Sequence, residues 1–397
     1  MIEKRALGRT GDSASILGFG CMRLPLNGPG PADIDAELAS AMLRSAIDRG
    51  VSYVDTAFGY HSPGTRDVPG ASEPFLAQAL KGGYREKVRI ATKLPTWLVE
   101  SRADMDRLLD LQLKRLDVRQ IDYYLAHDLN ASAWAKTKGL GLLGFMDEAV
   151  REGRIRFPAF SFHGDFPVFK EIVEGYGWAL ALVQHNYLDR DYQAGRAGVK
   201  LASERGVAVA VMEPLRGGFL VRHLPEEAKA RFLAARPGWS MAAWALNWLW
   251  SRPGVSVVLS GMSDMAQVDD NVRSAEAYRD GIFGEAEERA VDGAMELFRG
   301  RIRAGCTACG YCMPCPEGVD IPRNLDFLNQ FHFFDAEEPR RVARFIYGFQ
   351  MAPTAKASLC ADCGKCSEKC PQDIPIPELL KRTAEIYGEA VSGPFVS

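Results

Sequence analysis

A chain of 397 residues with 48 basic and 51 acidic side chains and a net charge of -3 is long enough for one barrel-sized domain plus a smaller one. It lacks the basic excess of a nucleic-acid binder. Met1 to Arg5 runs into Leu7-Gly8-Arg9-Thr10-Gly11 with no apolar leader, and the longest apolar stretch, Met241 to Trp250, is far shorter than the roughly 18 residues of a membrane span, so the expectation is a soluble cytoplasmic protein with neither a nucleic-acid nor a membrane partner.

In chain order, eight short apolar or β-branched runs follow: Ile16 to Met22, Val51 to Ala57, Val88 to Lys93, Ile121 to His127, Ile155 to His163, Leu180 to Asn186, Val207 to Glu213 and Val255 to Gly261. Helical periodicity separates them, as in Ala36 to Arg49, Ala103 to Leu116, Gly144 to Glu152, Tyr192 to Arg205, Met241 to Trp250 and Ala266 to Tyr278. Alternating strands and helices imply a parallel sheet, and eight units favour an α/β fold closed as a (β/α)8 TIM barrel over residues 1–283. Gly18-Phe19-Gly20 opens no helix with a GxGxxG turn, so the open-sheet dinucleotide fold lacks its fingerprint.

The strand ends carry Asp55, Lys93, His127, Ser161 with His163, Gln184 with Asn186, Glu213 and Ser260. In a barrel these ends share one face, the face on which barrel enzymes build their sites. Water-facing strand ends would explain one or two polar residues. They give no reason for a carboxylate, an ammonium and an imidazole on three consecutive strands.

Asp55-Thr-Ala-Phe-Gly-Tyr60, Ile90-Ala-Thr-Lys93, Ile121-Asp-Tyr-Tyr-Leu-Ala-His127 and Gln184-His-Asn-Tyr187 together resemble the aldo-keto reductases over roughly residues 1–280. Leu7 to Gly11 and Gly18 to Arg23 are similar to that family's N-terminal hairpin and first strand. The resemblance implies NAD(P)-dependent reduction of a small-molecule carbonyl, with Tyr60 as general acid, Lys93 beside its phenol, Asp55 holding the lysine and His127 orienting the carbonyl oxygen. An ammonium next to a phenol favours the phenolate, so Lys93 is expected to lower the Tyr60 pKa. Trp97 offers a pocket wall.

Arg216-Gly217-Gly218 and Ser260-Gly261 follow the seventh and eighth strands, where barrels commonly hold phosphate. The resemblance adds Ser161, Gln184 and Asn271 as coenzyme contacts. It departs at His163, where the family usually has asparagine, and at Met212, where many members have tyrosine. No lysine or arginine stands between Leu259 and Val272, while Asp264, Asp269 and Asp270 do. The coenzyme is therefore expected to be NADPH or NADH without the usual bias toward a 2'-phosphate.

Eight of the nine cysteines lie after Gly305, marking a second domain over residues 284–397. The lone Cys21 reads as a small buried apolar residue. Cys306, Cys309, Cys312 and Cys315-Pro316 answer Cys360, Cys363, Cys366 and Cys370-Pro371 in a partial internal repeat. Three thiolates at CxxCxxC spacing grip three corners of one [4Fe-4S] cube, and the fourth comes from the other motif, as in two-cluster ferredoxins. On that pattern Cys306, Cys309, Cys312 and Cys370 hold one cluster, and Cys360, Cys363, Cys366 and Cys315 the other. Arg323 to Phe334 and Glu338 to Phe349 read as helices in the long stretch between the motifs, so the module resembles the α-helical ferredoxins. Clusters move single electrons whereas nicotinamide moves a hydride, and no flavin motif converts between them. An external electron carrier, a structural role for the clusters, and a barrel with different chemistry all answer that mismatch. The competing class is an electron-transfer or binding protein whose barrel does not turn over.

Overall fold

The computed structural model describes residues 1–63, 67–222, 224–306, 312–333, 337–370 and 374–388. It divides into two compact units, Met1–Leu220 with Gly238–Glu285, and Val221–Pro237 with Ala286–Ser397. No helix among the described residues is long and apolar enough to cross a membrane.

In the first unit, β1 (Lys4–Ala6) and β2 (Ser13–Ser15) form an antiparallel hairpin. Eight parallel strands then close into a barrel: β3 (Leu17–Gly20), β4 (Tyr53–Asp55), β5 (Arg89–Leu94), β6 (Ile121–Leu129), β7 (Ile155–Phe162), β8 (Leu180–Gln184), β9 (Ala208–Met212) and β10 (Val255–Gly261), with β10 pairing back to β3. This is the (β/α)8 architecture the alternation predicts. The register sets Gly20 opposite both Asp55 and Gly261, and Asp55 opposite Ala91. The expected helices are present as Ala36–Asp48, Arg102–Leu116, Leu142–Arg151, Gly195–Glu204, Met241–Trp250 and Met265–Ala277.

The hairpin explains which end of the barrel stays open. Leu7 and Ala14 join Tyr53, Tyr123, Leu180, Leu182 and Val257 in the interior apolar cluster. Arg9 N–H donates to Gly206 O at 2.9 Å, and Asp12 accepts from Arg89 at 2.6 and 2.9 Å. Gly206 precedes β9 and Arg89 begins β5, so the hairpin plugs the N-terminal end and leaves the C-terminal strand ends accessible.

A second support was not legible in the sequence. The helix Ser72–Ala79 carries Glu73 into full burial, where it accepts from Thr92 Oγ1 at 2.8 Å, Gln112 Nε2 at 2.7 Å and Arg115 Nε at 2.8 Å. Gln112 Nε2 also donates to Lys93 O at 3.1 Å, and Tyr124 OH donates to Gln112 Oε1 at 2.8 Å. The network fixes β5 from behind.

In the second unit the helices Ile321–Phe333, Glu337–Gln350 and Ile376–Tyr387 build two apolar clusters, and the helices Glu226–Ala235 and Glu285–Arg299 precede them in the chain. Phe232, in Glu226–Ala235, is fully buried, and Arg236 Nε pairs with Glu287 at 2.5 Å.

Removing one partner of a buried ion pair leaves the other uncompensated, at a cost of roughly 3–5 kcal/mol. Glu73→Ala is therefore expected to lower the unfolding free energy by about that amount in urea titration, whereas Glu37→Ala on the exposed face of Ala36–Asp48 costs under about 1 kcal/mol. Equal, small losses in the two variants would show that the Glu73 network does not support the barrel.

Candidate active site at the barrel mouth

Asp55 closes β4 and Lys93 lies one residue from the end of β5, so adjacent strands deliver an acid and a base to the same place. Lys93 Nζ donates to Asp55 Oδ1 at 2.6 Å, to Thr56 O at 2.7 Å and to Tyr60 OH at 3.1 Å. These three bonds use all three ammonium protons. Lys93 is 1% exposed and Asp55 3%, so the pair is dry.

Tyr60 is set by its own loop. Tyr60 N–H donates to Ala57 O at 3.1 Å, and Gly70 N–H closes the loop onto Phe58 O at 2.8 Å. A β-carbon on Gly70 would lie 1.9 Å from Tyr60 O, so no other residue fits there without moving the tyrosine backbone. His127, on β6, is fixed through its carbonyl, which accepts from Thr96 Oγ1 at 2.6 Å. Its ring stands edge-on to Tyr60 at 6.4 Å and tilted against Trp97 at 5.1 Å. Asp55, Tyr60, Lys93, His127 and Trp97 thus converge.

The electrostatics differ from the sequence expectation in one respect. Burial pushes the Tyr60 phenol up, and Lys93, the strongest opposing influence, does not reverse it. The phenol keeps its proton. Burial works against the Lys93 ammonium, but Asp55 and Tyr60 outweigh it and hold the charge. Burial likewise raises Asp55 against the pull of Lys93. Cys21 is fully buried, with its thiol pushed up by that burial.

The residues expected on the coenzyme side fall into separate small networks. Ser161 Oγ accepts from Asp128 N–H at 2.8 Å, and Asn271 Nδ2 donates to Ser260 Oγ at 2.9 Å, both partners buried. His163 is exposed, its Nδ1 3.3 Å from Gln193 Nε2. Asp189, not singled out by sequence, accepts from Gln184 and Asn186 at 3.1 Å each and pairs with Arg216 at 3.3 Å. Gly217 and Gly218 adopt left-handed φ values of 64° and 91°. The three acids that follow β10 have structural partners: Asp264 caps Met265–Ala277, and within that helix Asp269 pairs with Arg49 at 2.9 Å and Asp270 accepts from Ser240 at 2.6 Å.

A family model described as the aldo/keto reductase family matches residues 16–280. The chain belongs to the aldo/keto reductase family. It is 28% identical over 235 residues to probable aldo-keto reductase 1 of Glycine max, covering 55% of this chain but 61% of that protein. It is 24% identical over 310 residues to L-glyceraldehyde 3-phosphate reductase of Escherichia coli O157:H7, covering 66% and 86% of the two chains. With 6-dehydroglucose reductase of Novosphingobium aromaticivorans it shares 27% identity over 287 residues, covering 68% and 89%. The holo form of an aldo-keto reductase from Bacillus halodurans aligns with a TM-score of 0.59 at 25% identity, over 74% of this chain and 96% of that one. The protein is an oxidoreductase of this family.

This aldo-keto reductase carries a second set of chemistry-bearing residues in its second unit. Cys306, Cys312, Cys315, Cys360, Cys366 and Cys370 pack against one apolar cluster that includes Ala304, Val319, Leu325, Ala357 and Ile376. Cys363 is exposed and Cys309 lies outside the described residues, as does Pro371. Two buried asparagines of Ile321–Phe333, unflagged by sequence, position both cysteine segments. Asn329 Oδ1 accepts from Arg303 and Ala304 N–H at 2.8 and 2.9 Å, just ahead of Cys306. Asn324 Oδ1 accepts from Ala357 N–H at 2.9 Å, just ahead of Cys360. Burial raises the Cys366 thiol, and Cys360 and Cys363 raise it further. Among the described residues no three His, Cys, Asp or Glu side chains are preformed around a common metal position. The donor chemistry fits iron–sulfur ligation, and a model described as a 4Fe-4S dicluster domain matches residues 305–374.

His185, between Gln184 and Asn186, gives the barrel a pH signature. Its ring is 1% exposed and lies 5.2 Å from Trp248; burial, then Arg252 and Arg196, push its pKa down to about 4. The unfolded chain takes up this proton near pH ~6.5 and the folded chain only near 4, so stability present above 6.5 is lost as pH falls, by roughly 3 kcal/mol at the lower limit. His185→Gln should flatten that part of the urea-derived stability profile between pH 7 and 4. Parallel profiles for the two proteins would refute the assignment.

Proposed function

We propose that the barrel reduces the carbonyl of a small-molecule aldehyde or ketone with Tyr60 as proton donor and NADPH or NADH as coenzyme. The observation that carries the reading is the Lys93 ammonium, buried and bonded at once to Asp55 and to the Tyr60 hydroxyl. Bound nicotinamide supplies a hydride to the carbonyl carbon. The protein supplies the rest. Tyr60, held protonated by burial, gives its proton to the carbonyl oxygen as negative charge develops there, and Lys93 stabilises the phenolate left behind. Asp55 keeps Lys93 charged, His127 orients the oxygen, and Trp97 walls the pocket.

The coenzyme-side residues fit such a ligand. Gly217 and Gly218 leave the backbone open to close approach by phosphate, with Arg216 beside them in the chain; Ser260, Gly261 and Asn271 would serve from the end of β10 and the helix after it, and Ser161, His163 and Gln184 would hold the nicotinamide end. Tyr60→Phe should reduce turnover of an aldehyde and ketone panel roughly 10²–10⁴-fold while leaving the nucleotide dissociation constant within about twofold, because the phenol donates to the oxygen rather than to the coenzyme. A merely twofold loss of turnover would remove Tyr60 from the role.

For the second domain, placed over residues 284–397, we propose two [4Fe-4S] clusters with crossed ligation: Cys306, Cys309, Cys312 and Cys370 on one, Cys360, Cys363, Cys366 and Cys315 on the other. Thiolate ligands of this kind suit the reducing cytoplasm. Reversible reduction by an external one-electron carrier would distinguish electron transfer from a structural role. Cys370→Ser is expected to damage the cluster of Cys306, Cys309 and Cys312, seen as loss of about half the iron and of one EPR signal in the reduced protein. Selective loss of the other signal would mean that each motif ligates its own cube.

A further inference from the structure

The nucleotide reading leaves the negative charge of the coenzyme without an obvious partner. Arg216, the cation that sequence places in the β9 loop, is paired with Asp189, and the β10 loop offers no lysine or arginine between Leu259 and Val272. We infer that Arg23, three residues beyond β3, is the cation that binds the coenzyme diphosphate, an assignment that rests on the proposed nucleotide site.

Three observations place it there. A β-carbon on Gly217 would meet Arg23 Nη2 at 3.3 Å, and one on Gly261 would meet Arg23 Cδ at 3.4 Å and its Cβ and Cγ at 3.5 Å. The aliphatic stem therefore lies along the β10 glycine and the guanidinium over the β9 glycine, spanning the two strand-end loops suited to phosphate. Arg23 is exposed, and among the described residues its guanidinium has no ion pair or hydrogen bond. Glu213 Oε2 approaches the same Gly217 point at 3.9 Å without pairing with it.

The loop that carries Arg23 is built, which separates it from a solvated surface arginine. Its carbonyl accepts from Ser263 Oγ at 2.9 Å, tying the loop to the residues after β10. Leu24 N–H donates to His61 Nε2 at 3.2 Å, so His61 carries its proton on Nδ1, which donates to Pro31 O at 2.8 Å. Asp35 N–H donates to Pro25 O at 2.8 Å and closes the loop base. His61 follows Tyr60 directly, so one dipeptide presents the phenol and fixes the loop of the arginine. Guanidinium offers five donors in a planar fork matched to phosphate oxygens, and leaving it unpaired over Gly217, with its stem along Gly261, is the arrangement a diphosphate completes.

The test is direct titration of NADH and NADPH into the full chain, followed by coenzyme fluorescence at low and moderate salt, for wild type, Arg23→Ala and Arg23→Lys. The expected result is that Arg23→Ala weakens both nucleotides by the same factor, about 10–100-fold, with a shallower salt dependence, and that Arg23→Lys recovers part of the loss. Loss confined to NADPH would move the contact to the 2'-phosphate and overturn the diphosphate assignment. Unchanged affinity in Arg23→Ala would overturn the role of Arg23 while leaving the nucleotide site standing. Equal losses in both variants with a lowered unfolding midpoint would make Arg23 a structural residue and overturn it too. Wild type that binds neither nucleotide would end both readings.

Discussion

A lysine ammonium with 1% of its surface exposed keeps its charge only if the protein replaces nearly everything water supplied. Losing hydration costs several kcal/mol per ion, and the attraction of one carboxylate seldom repays it unless every remaining proton is also bonded. Lys93 meets that condition through Asp55, Thr56 and Tyr60. Each partner depends on a different part of the fold: the β4–β5 register for Asp55, the turn beyond β4 for Thr56, and the loop closed by Gly70 for Tyr60. The Glu73 network behind β5, which bonds the Lys93 carbonyl, and the hairpin beneath the barrel therefore bear on the mouth. Small shifts in any of them would leave a charge stranded.

The same logic separates what the mouth does to its phenol from what a single neighbour would do. Taken alone, a cation favours the phenolate. Within the fold, burial favours the neutral form of the same group, and burial wins. The result is a phenol that keeps its proton at rest beside an ammonium able to stabilise a phenolate, which is the arrangement the proposed proton donor needs.

Strand runs and strand-end residues were legible in the amino-acid sequence because a parallel barrel buries both faces of each strand, leaving apolar runs that stop at a polar residue. Asp55, Lys93 and His127 stand out for that reason, and the cysteine spacing stands out because thiolates three residues apart are within reach of one cluster. What stayed hidden depends on contacts distant in sequence. Glu73 looks like an ordinary acid at a helix start, Asp189 like a loop carboxylate, and Gly70 like a turn residue. Asn324 and Asn329 read as the polar face of a helix, yet both are turned inward to hold the chain ahead of each cysteine motif. The helix Glu226–Ala235 was missed because its burial involves a partner, Glu285–Arg299, that arrives some fifty residues later.

That helix alters how the protein can be taken apart. Val221–Pro237 belongs to the second unit although the chain then returns to the barrel for Gly238–Glu285. The polypeptide thus passes between the units three times, and no single cut separates them. A C-terminal deletion at the apparent boundary would keep an orphaned helix whose Phe232 and Ala228, both fully buried in the intact chain, would face solvent. The units are interleaved along the polypeptide, so a fragment meant to carry the barrel alone has to deal with Val221–Pro237 as well as with everything after Glu285.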